Sequence, residues 1–191
     1  MFPLWGLALG LVVGWLRGGT LTRLATLELK AVWLIFVALV LQLLIFPTPW
    51  FPPLISWGTT YFHFASYALV ALFFGANYRM GSLWTMALGM VINALVITAN
   101  GGYMPASAGA LRAAGKAYTA TQLLNMQRYA NAVLMDEHTR LNVLGDWLYV
   151  PTWVPWANAF SLGDMVLMLG LAWLVQSAMV GRYSGSSQRA S

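Results

Sequence analysis

Apolar residues run along this chain in long blocks, and five of them stand out at about 2–16, 31–46, 59–77, 82–99 and 160–180. A helix that crosses a bilayer needs ~20 mostly apolar residues, with a range of about 17 to 25. All five blocks come close, and the first two are short by this rule. Residues 21–29 between those two are expected to continue as a helix along the membrane surface, and the Trp-rich stretch 147–156 is a candidate re-entrant segment. The pattern predicts an all-α integral membrane protein, with five transmembrane helices and an extracytoplasmic amphipathic helix. The whole of 1–191 forms a single membrane domain whose outer loop runs over 100–159.

Composition supports the membrane reading. Of the 191 residues, 60% are hydrophobic and 8% are charged, whereas a soluble domain carries about 25% charged residues. The absence of cysteine excludes disulfides, thiolate metal sites, iron–sulfur clusters and a Cys nucleophile. A formal net charge of +5 suggests nucleic acid, but the ten basic residues are scattered singly, without the stripe that such binding needs. No nucleic-acid partner is expected, and the lipid bilayer is the expected one. With no basic residue before its first apolar run, the N-terminus reads as a first span and not as a removable signal peptide.

Charge also orients the chain, because short cytoplasmic loops keep Lys and Arg. Arg17, Arg23 and Lys30 fall between spans one and two, Arg79 between three and four, and Arg182 and Arg189 after span five. Arg112, Lys116, Arg128 and Arg140 sit in the long loop, where the rule loses force. The N-terminus is therefore expected outside and the C-terminus in the cytoplasm of a multi-pass inner-membrane protein. Trp50, Trp57, Trp147, Trp153 and Trp156 then fall near the outer boundary, where amphipathic rings favour the headgroup region.

Helices in lipid associate by close packing and hydrogen bonds. Gly6, Gly10 and Gly14 line one face of span one, with Ala71 and Gly75 in span three and Gly163 and Gly170 in span five. Packing within the monomer is expected of them; docking onto another membrane protein or homo-oligomerisation through Gly6, Gly10 and Gly14 is the alternative. Gln42, Asn77 and Asn93 are expected to hydrogen-bond between helices, since an unpaired amide in hydrocarbon is costly. No Asp, Glu, Lys or Arg lies at mid-span, which counts against a proton pump or an ion-coupled carrier.

In the long loop, 105–115 reads as a flexible connector. Thr119 and Gln122 form a capping-box pattern that opens a predicted helix over 120–135, with Leu123, Ala130, Val133 and Leu134 along one flank. It is expected to lie on the membrane or to cover the ends of the spans. Asp136-Glu137-His138 reads as a solvated turn, because consecutive side chains diverge and do not converge on an ion.

Three motifs border the loop. Asn100-Gly101-Gly102-Tyr103-Met104-Pro105 ends span four, where the glycines act as a C-cap. Leu144-Gly145-Asp146 precedes an aromatic and proline stretch. Asn158-Ala159-Phe160-Ser161-Leu162-Gly163-Asp164 opens span five, where Asn158 or Ser161 can cap the helix and Asp164 is favoured by its dipole. Together these motifs resemble a bacterial family of small polytopic membrane proteins classed as a domain of unknown function. The resemblance covers nearly the whole chain. It implies a bacterial inner membrane and a joint role for these positions, and it carries over no activity, cofactor or catalytic residue.

If spans three to five are neighbours, His63 joins Asn100, Asp146 and Asp164 at one depth. One imidazole, two carboxylates and an amide suit a divalent metal, a polar headgroup or acid–base work. The candidate outer-face cluster is therefore His63, Asn100, Gly101, Gly102, Met104, Pro105, Asp146, Ser161 and Asp164. No metal site or cofactor is assigned. The sequence contains no Gly-rich phosphate loop, no paired metal-binding histidines and no nucleophile elbow. The expected function is non-catalytic: binding a partner protein or a lipid headgroup at the outer face, as an accessory subunit of a larger assembly. The first alternative is an enzyme acting on a lipid-linked substrate through Asp146 and Asp164. The second is a small transporter, which requires Gln42, Asn77 and Asn93 to line one cavity.

Overall fold

The computed structural model describes residues 2–47 and 51–183; Trp50 and Arg189, used above for topology, lie outside them. Helix α1 (Phe2–Leu16) is followed by the short α2 (Leu21–Ala25), α3 (Trp33–Ile45), α4 (Thr59–Ala76) and α5 (Gly81–Ala99). The long loop then carries β1 (Met104–Ala106), α6 (Ala108–Ala113), α7 (Ala117–Met126), β2 (Arg128–Tyr129), β3 (Ala132–Leu134), β4 (Leu148–Tyr149) and β5 (Ala159–Phe160), before α8 (Leu162–Met179) closes the chain. The protein is mostly helical. Three helices, α4, α5 and α8, are long and apolar enough to cross a membrane, while α1 and α3 are apolar but shorter.

Helix α8 is the hub, with α1 packed along one side and α5 along another, while α3 and α4 form a hairpin of their own. Small residues set the two α8 contacts. A Cβ added at Gly6 would lie 2.7 Å from the Met168 carbonyl oxygen, and one at Gly10 would lie 2.7 Å from the Val175 Cβ. Gly14 sits against Met179 in the same way, so the glycine face of α1 is occupied by α8. Gly170 meets Met86 of α5, and Gly89 of α5, unremarked in the sequence, fits against Gly163 and Leu167. At Gly75 the expectation of close packing fails, because nothing lies within 4 Å of the Cβ position.

The three mid-chain amides each tie elements together. Gln42 of α3 donates to the Ser66 hydroxyl of α4 at 2.9 Å. Asn77 accepts from the Lys30 amide and donates to the Lys30 carbonyl, both at 2.8 Å. Asn93 of α5 reaches α8. The basic residues Arg17, Arg23, Lys30, Arg79 and Arg182 gather at one end of the bundle, where the Arg17 guanidinium donates to the Gln176 amide oxygen. The long loop covers the other end, together with Asp136, Glu137, Asp146 and Asp164.

The loop departs from expectation in two places. Residues 105–115 are not a flexible connector: β1 pairs in parallel with β3, and α6 follows, started by the Ser107 hydroxyl, which accepts from the Ala110 amide. Alanine-rich sequence with a good cap makes a helix as readily as a linker. The predicted 120–135 helix is also corrected. Helix α7 begins at Ala117, three residues earlier, and ends at Met126, because Gln127 and Ala130 adopt positive φ of 62° and 52° and turn the chain into the β2–β3 hairpin. The apolar flank of the prediction is thus divided between a helix and a strand. Ala120 and Leu123 are buried with Ala106, Ala110, Leu111 and Ala159 in a small core of the loop's own. The chain is therefore not all-α in the strict sense. The 147–156 stretch holds β4, paired with β5, and turns.

Candidate functional site

Helix α8 begins at Ser161 with a complete capping box. The Ser161 hydroxyl accepts from the Asp164 amide at 3.0 Å, and the Asp164 carboxylate accepts from the Ser161 amide at 3.2 Å. Capping is thus one role of Asp164, satisfying orphan donors at the helix start. Its second carboxylate oxygen accepts from the Asn93 side-chain amide at 2.8 Å, and the Asn93 oxygen in turn accepts from the Ser161 hydroxyl at 2.9 Å. Gly163 makes this possible, since a Cβ there would stand 2.0 Å from that Asn93 oxygen. Ser161, Asp164 and Asn93 form a closed network between α5 and α8.

Asp146 arrives from the loop. Its amide donates to the Pro105 carbonyl at 2.8 Å, and its carbonyl accepts from the Ser107 amide at 2.9 Å, which fixes Asp146 alongside β1. Gly145 allows this approach: a Cβ there would lie 2.6 Å from the Pro105 carbonyl oxygen. The buried Oδ1 of Asp146 has no hydrogen-bond partner. Burial pushes the Asp146 carboxyl up to about 8, and the nearby charge of Asp164 pushes in the same direction. The two carboxyls, eighteen positions apart in sequence, therefore lie within electrostatic reach of each other. Tyr67 of α4 lies within electrostatic reach of both.

His63 sits one helical turn before Tyr67. It is 2% exposed, donates through Nδ1 to the Gly102 carbonyl at 3.0 Å and stacks edge-on against Phe46 and Tyr67, with ring centroids 4.9 and 5.3 Å away. Gly102, at a positive φ of 99°, leaves no room for a side chain, since a Cβ would lie 2.5 Å from the Thr60 methyl. His63 therefore locks α4 to the end of α5, with the Tyr67 ring packed against its own. Met104 is buried beside Val96 and Ile97, and Pro105 supplies the carbonyl that holds Asp146.

Asn100 is spent elsewhere. Its amide donates to the Val96 and Arg140 carbonyls, both at 2.8 Å, and its oxygen accepts from the Arg140 amide at 2.8 Å, so it pins the loop to α5. Gly101 faces open space. Of the sequence-derived cluster, Ser161 and Asp164 are in direct contact, Asp146 lies within electrostatic reach of Asp164, His63 bonds to Gly102, and Pro105 holds Asp146 while Met104 is buried in the core nearby. Sequence reasoning missed Tyr67 as a site residue and expected of Asn93 an interhelical hydrogen bond, which it makes, without placing it in the cluster. The four-residue spacing from His63 to Tyr67, which puts both on one helix face, was the available signal for the first.

Among the described residues, no group of three or more His, Asp or Glu is placed to hold a metal. Asp136 forms a local turn, its carboxylate accepting from the His138 and Thr139 amides at 2.8 and 3.1 Å, and the adjacent Glu137 and His138 are well exposed.

Residues 26–176, which contain every residue of this site, match a family described as a family of unknown function, DUF5317. A protein of Thermotoga maritima named only "Uncharacterized protein" is 27% identical over 155 residues, covering 80% of this chain and 78% of that protein. No solved structure matches the chain. The chain thus belongs to the DUF5317 family of unknown function.

Proposed function

We propose that this is a five-span membrane protein, its N-terminus and long loop outside and its C-terminus in the cytoplasm, that binds the polar head of a membrane lipid at its outer face. In this reading α1 and α3 also cross, shortened at their ends, and the basic cluster of Arg17, Arg23, Lys30, Arg79 and Arg182 marks the cytoplasmic side. One observation carries the binding role: the buried Asp146 oxygen without a partner, within electrostatic reach of the Asp164 carboxyl at the start of α8. A buried polar atom left unpaired costs about 1–3 kcal/mol, and a donor brought by a ligand offsets that cost.

The test is purification in mild detergent followed by lipid extraction and mass spectrometry. Native protein is expected to retain lipid, while Asp146→Asn and Asp164→Asn fold but come out lipid-poor. Native protein recovered as a bare monomer, without lipid or a copurifying protein, contradicts the proposal. A stoichiometric protein partner in place of lipid would favour an accessory-subunit role over a lipid site.

A second reading draws on the inequality of the two carboxyls. A neutral acid beside a hydrogen-bonded carboxylate is the arrangement of acid–base hydrolysis. Asp164 would take a proton from water as its oxygen attacks a carbonyl carbon of a lipid-linked substrate, and Asp146 would protonate the leaving group. Lipid profiles of membranes carrying native protein or Asp164→Asn separate the readings. Cleaved products that depend on Asp164 favour hydrolysis; retained but unaltered lipid favours binding. Transport gains no support from the amides, since Gln42, Asn77 and Asn93 bond to different partners at different levels.

A further inference from the structure

The lipid head reading leaves open which head, and the surroundings of the two carboxyls narrow it. Between the α3–α4 hairpin and the α5–α8 pair runs a seam where α4 meets α5 only sparsely. In it lies a cavity of about 130 Å³ lined by Gln42, Ser66, Tyr67, Val70, Met90 and Leu167. A second recess, of about 240 Å³, adjoins it at Gln42 and opens between Leu39, Leu43 and Phe46 of the α3 end and Ala130 and Asn131 of the loop. Tyr67 is shared: it walls the seam cavity and lies within electrostatic reach of Asp146 and Asp164. Two walls of the seam cavity, Met90 of α5 and Leu167 of α8, stand one helical turn from Asn93 and Asp164, so the apolar slot runs toward the carboxyls. The one ion pair among the described residues is His138 with Glu137, so neither Asp146 nor Asp164 has a basic partner there.

We propose, resting on the headgroup reading above, that the occupant is an ammonium-headed lipid whose amine sits between Asp146 and Asp164 and whose chain enters the seam beside Val70, Met90 and Leu167. Charge complementarity selects the cation: carboxyl groups with no basic partner disfavour an anionic head and favour a cationic one, whose binding favours the ionised form of Asp146. The ammonium also brings hydrogen-bond donors to the orphan Asp146 oxygen. The titratable groups facing Asp146 are Asp164 from α8 and Tyr67 from α4, and a bound cation draws the proton off Asp146.

The probe is dodecylammonium, added to the full chain in dodecyl maltoside and followed by calorimetry and thermal shift, with dodecanol and propylammonium as the head-less and tail-less controls. Dodecylammonium is expected to bind, about tenfold or more weaker to Asp164→Asn or Asp146→Asn, and tighter at pH 9 than at pH 6. Propylammonium is expected to bind about a hundredfold more weakly, the worth of roughly four buried methylenes. Leu167→Phe, which keeps both carboxyls and fills the slot, should remove most of that advantage and guards against misfolded Asn variants. Equal binding of dodecanol, or no loss in either Asn variant, overturns the ammonium assignment. Propylammonium binding as tightly as dodecylammonium makes the occupant a free amine or a lysine side chain and overturns the lipid. If the assignment fails while an amine-free lipid still copurifies and is lost in Asp146→Asn, the headgroup reading survives it; if no lipid copurifies, both fall.

Discussion

Replacing Asp146 by Asn should make the protein more stable, and by an amount that depends on pH. The ordinary value for this carboxyl is 3.8, and burial with the charge of Asp164 holds it at about 8. In the unfolded chain Asp146 loses its proton near 4, whereas the folded chain keeps it until about 8. Between these values the native state binds more protons than the unfolded state, so native stability falls as pH rises through the window and levels off above it. Each pH unit is worth about 1.36 kcal/mol. The cost of holding the proton therefore comes to about 1.5 kcal/mol at pH 5 and about 4 kcal/mol at pH 7, as upper limits that loop relaxation and water entry reduce. Asn is neutral throughout and carries no such cost. Unfolding of delipidated native protein and Asp146→Asn, measured in one detergent from pH 5 to pH 9, should show the variant ahead by about 2–4 kcal/mol at pH 7, with a smaller lead at pH 5. A variant less stable than native protein at pH 7, or a lead unchanged between pH 5 and pH 8, would mean that burial does not hold the proton on Asp146.

Other substitutions test the packing and the topology. Asn93→Ala leaves Asp164 and Ser161 each short of a partner and should cost about 2–4 kcal/mol, against about 1 kcal/mol for Ser161→Ala on top of any lost contact to Asn93, both by denaturant titration. Gly10→Leu must displace Val175 and the α8 backbone and should destabilise by about 1–3 kcal/mol or more, whereas Gly75→Ala, in open space, should be neutral or slightly stabilising in the same assay. Because the chain has no cysteine, single cysteines report topology cleanly. Glu137→Cys should react with a membrane-impermeant maleimide in intact cells, and Thr26→Cys only after lysis.

The helices were legible because a long apolar block leaves few options: the boundaries 59–77, 82–99 and 160–180 lie within about two residues of α4, α5 and α8. Capping at Ser161 and Asp164 was legible for a related reason, since both partners lie within four residues of each other. The loop was not. Its apolar positions 123–134 fit a helical stripe, and only the positive φ at Gln127 and Ala130, which neither residue type advertises, divides it into helix and hairpin. Alanines at 106–114 read as a linker until Ser107 and β3 give them a cap and a partner. The site was half legible. Asp146 and Asp164 could be named, but the placing of Asp146 depends on its being held to β1 by Pro105 and Ser107, a long-range pairing with no local signature. Asn100 shows the converse: it stood in the most prominent motif, yet its bonds go to Arg140.

The proposed function requires a lipid beside Asp146 and Asp164, with its chain in the seam. Native mass spectrometry of the protein released gently from detergent measures this most directly. Native protein should carry a single lipid adduct that is absent from both Asp146→Asn and Asp164→Asn, each still folded by circular dichroism. An adduct of equal occupancy on all three proteins, or none on native protein, would contradict that function.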